Sequence, residues 1–113
     1  MSAANYDLVI DQGTTFTVDI TINESGSAKN LTGYSARAQM RSTKTATSVA
    51  GSFTCTIPTP TNGVVKMELD PSTSSAMTAG QYFYDLEIYT SGDAIVKRII
   101  EGKVNLTQEV TRS

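Results

Sequence analysis

The sequence predicts an all-β protein, an antiparallel two-sheet sandwich of about seven strands with one short helical turn. Three observations carry that expectation. Apolar residues recur at every second position in segment after segment, most plainly at Tyr82, Tyr84, Leu86 and Ile88. That is the period of a half-buried strand. Clusters of Gly, Pro, Asn, Asp and Ser break the chain at short intervals, as turns do. Gly80-x-Tyr82 follows a turn-rich run, which is how the penultimate strand of many immunoglobulin-like sandwiches begins. The 113 residues suit one domain, residues 1–113, able to bury a core without staples.

The elements follow in chain order. Tyr6 to Ile10 reads as the first strand, ended by the turn signal Asp11-Gln12-Gly13. Phe16, Val18, Ile20 and Ile22 alternate with Thr17, Asp19 and Thr21, giving one apolar and one polar face. Asn23-Glu24-Ser25-Gly26 closes that strand. In Tyr34 to Arg41, Tyr34, Ala36, Ala38 and Met40 share a face opposite Ser35, Arg37, Gln39 and Arg41. Ser42 to Ser52 has no period and reads as a long loop. Phe53, Cys55 and Ile57 form a short strand, stopped by Pro58 and Pro60 because proline cannot donate to a ladder.

Val65, Met67 and Leu69 are the inward face of the next strand. Asp70-Pro71-Ser72-Thr73 then reads as an N-cap with proline at the first helical position, opening one or two turns through Met77. The alternating strand through Tyr89 comes next. Ser91-Gly92-Asp93 reads as a three-residue hairpin loop, and Ile95 to Leu106 returns antiparallel. If Thr90 pairs with Ala94, Tyr84 faces Ile100, Ile88 faces Val96, Glu87 faces Lys97, and Leu86 faces Arg98. The last pairing is awkward, and a bulge near Ile99-Ile100 would repair it.

Composition excludes several classes of function. Net charge is −2 without clusters of either sign, whereas nucleic-acid binders carry a basic patch. Histidine is absent and Cys55 is the lone cysteine. The commonest general base and metal ligand are thus missing, and no intrachain disulfide can form. Cys55, between Thr54 and Thr56, has no basic neighbour to lower its pKa and reads as a core residue. The first residues lack the basic and apolar regions of a signal peptide, and no apolar run is long enough to span a membrane. Three matches to the N-glycosylation acceptor, at Asn23, Asn30 and Asn105, are expected by chance in so Ser/Thr-rich a chain.

Candidate sites are few. Tyr82 reads as a structural tyrosine corner, its hydroxyl bonding back to the preceding turn. Asp85 and Glu87 have a calcium-like spacing without the glycine turn that such loops use, so a cross-strand ion pair of Glu87 with Lys97 is the simpler reading. The catalytic, cofactor-binding and metal sites are therefore expected to be none. Phe83, Tyr89, Ile95 and Ile99 are expected together on the outward face of the last hairpin. An apolar patch there marks a partner surface, or else the Ser42–Ser52 loop or a terminus covers it.

Four segments, YDLVIDQGTTFTVDITI, NLTGYSARAQMRS, MTAGQYFYDLEI and RIIEGKVNLTQEVTR, span nearly the whole chain. In their order they resemble small structural proteins of tailed bacteriophages and, more loosely, the N-terminal domain of phage baseplate upper proteins. The resemblance implies an immunoglobulin-like sandwich that serves as a non-enzymatic virion component, made in the host cytoplasm and present in multiple copies at the neck, tail, baseplate or fibre attachment region. Its implied partners are other virion proteins and copies of itself, with no nucleic acid, membrane or cofactor. Capsid decoration and carbohydrate binding at the host surface are the alternative roles. Exposed aromatics such as Phe83, Tyr89 and Tyr6 would supply the stacking that sugar binding needs.

Overall fold

Alternating apolar residues drive this chain into strands, and the computed structural model describes residues 4–24 and 26–110. The strands in order are β1 (Ala4–Asn5), β2 (Leu8–Asp11), β3 (Phe16–Thr21), β4 (Asn23–Glu24), β5 (Ser27–Ala28), β6 (Ser35–Arg41), β7 (Gly51–Thr56), β8 (Val64–Leu69), β9 (Gly80–Tyr89) and β10 (Val96–Thr107). A five-residue helix, α1 (Pro71–Ser75), precedes β9. Asp70 caps α1 with extended backbone, and Pro71 fills the first turn, where its missing N–H leaves nothing unpaired. The fold is all-β. Strands β4 and β5 are short additions on a β-ribbon of their own.

The other eight strands form one sheet in the order β1-β10-β9-β6-β7-β8-β3, with β2 also paired to β10. The sheet curls. Strand β7 changes partner midway: Gly51 and Phe53 pair with β6, whereas Thr54 to Thr56 pair with β8. The β8–β3 arm is thereby folded over the β6–β9–β10 arm, and the inward residues of both meet. Val65, Met67, Leu69, Met40, Leu86, Ile88 and Val104 are all at most 1% exposed. Phe53 bridges the arms, its ring edge-on to Tyr84 at 6.1 Å and tilted against Phe16 at 6.2 Å.

The expected sandwich is corrected in one respect. The sheet is mixed and continuous, because β1 and β2 run parallel to β10. Two side-chain contacts accompany that pairing. The Tyr84 hydroxyl donates to the Tyr6 carbonyl, and Asp7 Oδ1 accepts from the Lys103 amide at 2.9 Å. Gly102 makes room for them: a Cβ there would lie 2.4 Å from the Tyr6 carbonyl oxygen, far inside van der Waals contact. Gly63 plays a comparable part at the other arm. Its φ is +70°, and a Cβ would sit 2.8 Å from the backbone oxygens of Ile22 and Lys29, so only glycine fits.

The hairpin register is also corrected. The Thr90 amide bonds to the Ile95 carbonyl, and Ser91–Asp93 is a turn of 3₁₀ helix, so the loop is longer than expected. Val96 therefore faces Tyr89 and Arg98 faces Glu87, and a bulge between Arg98 and Ile100 brings Ile100 opposite Leu86. The clash of Leu86 with Arg98 does not arise, and the irregularity falls where the alternation demanded one.

Candidate functional site

The outer face of β6, β9 and β10 gathers most of the chain's paired charge. In an antiparallel sheet, residues directly opposite one another share a face, so the register sets three cross-strand rows. Arg37, Glu87 and Arg98 form one; Gln39, Asp85 and Glu101 form the next; Arg41, Phe83 and Lys103 form the third. Successive rows lie about 7 Å apart along the strand. All of these residues but Lys103, together with Lys44 from the loop after β6, line a groove of about 610 Å³.

Arg37 of the first row is neutralised by Glu87 and by Asp93 of the hairpin loop. Arg37 Nε meets Glu87 Oε1 at 2.9 Å and Nη1 meets Asp93 at 3.4 Å. The Arg37 guanidinium also lies 4.4 Å from the Tyr89 ring centroid, the stacked geometry of a cation–π contact. Arg98 of the first row reaches across to the second, to Asp85 at 3.2 Å and Glu101 at 3.4 Å. Burial, then the neighbouring Glu87 carboxylate, hold the Asp85 carboxyl above its ordinary range, against the pull of Arg98.

The third row is different. Arg41 donates to two neutral acceptors, the Ala46 carbonyl and Gln39 Oε1, both at 3.1 Å. Lys44 Nζ stands 5.8 Å over the Phe83 ring. Among the described residues, no carboxylate lies within 4.0 Å of Arg41, Lys44 or Lys103. Lys44 thus lies over the Phe83 ring, with Arg41 and Lys103 opposite Phe83 on the two neighbouring strands.

The four residues expected to form an apolar patch are dispersed. Phe83 and Tyr89 share the outer face of β9, but Asp85 and Glu87 lie between them. Each ring is covered by a cation. Ile95 is 47% exposed in the hairpin loop. Ile99 packs against the core, because the bulge places its side chain on the same side as Ile100. The face is therefore charged, and the expected apolar composition is corrected. The Glu87–Lys97 pair is corrected as well, since the shifted register puts Lys97 opposite Ile88 and leaves Glu87 to Arg37.

Tyr82 is buried, and its hydroxyl donates to the Thr78 carbonyl. Cys55 is half-buried on β7, with burial pushing its thiol up to about 11; it is protonated near neutrality and a poor nucleophile. Sequence reasoning passed over Gln12. Its side chain donates to the Met77 carbonyl at 2.8 Å and accepts from the Glu109 amide at 3.0 Å. It joins the turn before β3, the end of α1 and the segment after β10. Its place in a turn signal gave no cue to partners 65 and 97 residues away.

No family model matches the chain, and no curated protein matches it. Among solved structures, a family 123 glycoside hydrolase from Clostridium perfringens, studied for glycolipid glycan hydrolysis, aligns with 99% of this chain at 12% identity and a TM-score of 0.46. This chain spans 24% of that one.

Proposed function

We propose that this protein is an immunoglobulin-like, non-enzymatic structural module of a tailed-bacteriophage particle, assembled in multiple copies at the neck, tail, baseplate or fibre attachment region. The observation that carries the reading is the open edge of the curled sheet. Strand β3 pairs with β8 on one side, and among the described residues no strand pairs with its other side. An unpaired edge is a template for strand addition from a neighbouring subunit.

The immunoglobulin-like affiliation draws on three features. Strands β6, β9 and β10 are adjacent in one arm and β3 and β8 in the other, the arrangement of C, F, G and B, E strands in such domains. The helical turn α1 lies between the last strand of one arm and the second-last strand of the chain. Tyr82 anchors that corner through Thr78. The resemblance of the four sequence segments to phage structural proteins supports the virion role.

The test is mass spectrometry of purified particles, followed by a map of the intact assembly. Stoichiometric presence at a tail-associated position is the expected result. Absence from the particle sinks the proposal, and a location on the capsid surface replaces it with a decoration role.

A further inference from the structure

We infer that the groove on the outer face of β6, β9 and β10 binds a carboxylate-bearing sugar, a uronic-acid-type pyranose, with the ring on Phe83 and its carboxylate between Arg41 and Lys44. The inference goes beyond the virion reading and stands independently of it, since absence from particles would leave the groove's chemistry unchanged.

Three observations converge on that ligand class. Arg41 and Lys44 have no carboxylate partner among the described residues, and both line the groove. Cations left without a counter-ion beside a concavity favour an anionic guest, and a guanidinium presents a planar fork that matches a carboxylate. Phe83 lies beneath Lys44 and opposite Arg41 across the strands; a swing of the exposed Lys44 side chain toward the ligand carboxylate opens the ring to the apolar side of a pyranose.

The neighbouring row favours a sugar over a simple inorganic anion. Gln39, Asp85 and Glu101 lie one row away, about 7 Å along the strands. That is close to the span from a pyranose carboxylate to its far hydroxyls. The Asp85 and Glu101 carboxylates are acceptors only, and their bonds to Arg98 leave further lone pairs open. They reward a ligand with hydroxyl donors at that distance. They repel an inorganic phosphate lying along the groove, which brings negative charge with few donors; an acidic peptide carries backbone N–H donors of its own, and titration with hexaglutamate separates it from a sugar.

The test is titration of the whole protein with trigalacturonic acid and, separately, with neutral galactotriose, followed by amide chemical shifts and calorimetry. The expected result is shift changes confined to Arg41, Lys44, Phe83 and Asp85 with the acidic trisaccharide. Its affinity should fall with added salt and exceed that of the neutral one at least tenfold. Arg41→Gln and Lys44→Gln should each weaken binding about tenfold, the size of a lost charge-assisted bond. Lys66→Gln on β8 should not weaken it. Lys44 is exposed in its loop, so its variant tests the site without threatening the fold. No shift at millimolar trigalacturonate, or equal binding of galactotriose, overturns the inference. So does a hexaglutamate peptide that binds as tightly, which would assign the groove to an acidic protein partner.

Discussion

The two faces of β9 are built from alternate residues of one ten-residue strand, yet they do different things. On the inner face Tyr82, Tyr84, Leu86 and Ile88 are at most 7% exposed and pack against both arms of the sheet. On the outer face Phe83, Asp85, Glu87 and Tyr89 are half-buried among cations from β6, β10 and the loop after β6. The inner face removes apolar area from water, which scales with area and needs no particular partner. The outer face relies on charge placement, which contributes little in water but selects what can approach. Apolar burial and charge placement are thus separated by a single residue step along the strand.

The sharpest way to break that division is to truncate one residue from each face. Leu86→Ala removes a side chain that is 0% exposed and should lower unfolding free energy by about 2–5 kcal/mol, the range for large-to-small core changes. Arg37→Ala, which loses the Glu87 pair and the Tyr89 stack, should lower it by far less, because water screens the exposed guanidinium. Urea denaturation of both variants measures the difference. Similar losses would mean that the outer face contributes to the fold as the inner one does.

A smaller effect is expected where the inner face is tied to the N-terminal strands. Gly102→Ala would drive a methyl group into the Tyr6 carbonyl and the Asp7 carboxylate. The backbone must shift to admit it, and overpacking of this kind destabilises by about 1–3 kcal/mol. The loss should be local first: amides of β2 and Lys103 should exchange with solvent faster, while those of β6 and β8 keep their protection. Uniform loss of protection would show that β1 and β2 are integral to the core, and not a strap laid along β10.

Which residues face inward was legible in the sequence, because period-two alternation survives any choice of partner. Tyr82, Tyr84, Leu86 and Ile88 on β9, and Val65, Met67 and Leu69 on β8, are buried as that alternation implies. Partners and register were not legible. The alternation of Leu8 and Ile10 says that they point inward but not that β2 lies parallel to β10. That choice depends on Tyr84 reaching the Tyr6 carbonyl, 78 residues away, and on the missing side chain of Gly102. The outer groove was hidden for the same reason. Its rows exist only once three strands are in register, and a loop longer by one residue moved Glu87 from Lys97 to Arg98. The site of the bulge could still be inferred, because a buried leucine facing an arginine is a conflict that the chain has to relieve.

The smallest expected effect concerns Asp85 and tests whether the outer face is electrically strained. Its carboxyl is held above the ordinary value of 3.8 by burial and by Glu87, with Glu101 adding to the rise and Arg98 and Arg41 opposing it. A carboxyl with a raised pKa binds its proton more tightly in the folded state than in the unfolded chain. Folding stability therefore falls as pH rises from below 3.8 through the folded-state value, and the loss persists at neutrality. Asp85→Asn removes this titration. The stability of the native protein relative to the variant should be higher at pH 3 than at pH 7, and the change should fall in the window just above 3.8. Its size should stay under about 1 kcal/mol, because Asp85 keeps 38% of its side chain exposed and water screens it. Paired denaturation curves across that range would show the difference. A reversed sign would mean that Arg98 and Arg41 outweigh burial and Glu87, making the second row an attractive ion cluster instead of a crowded one.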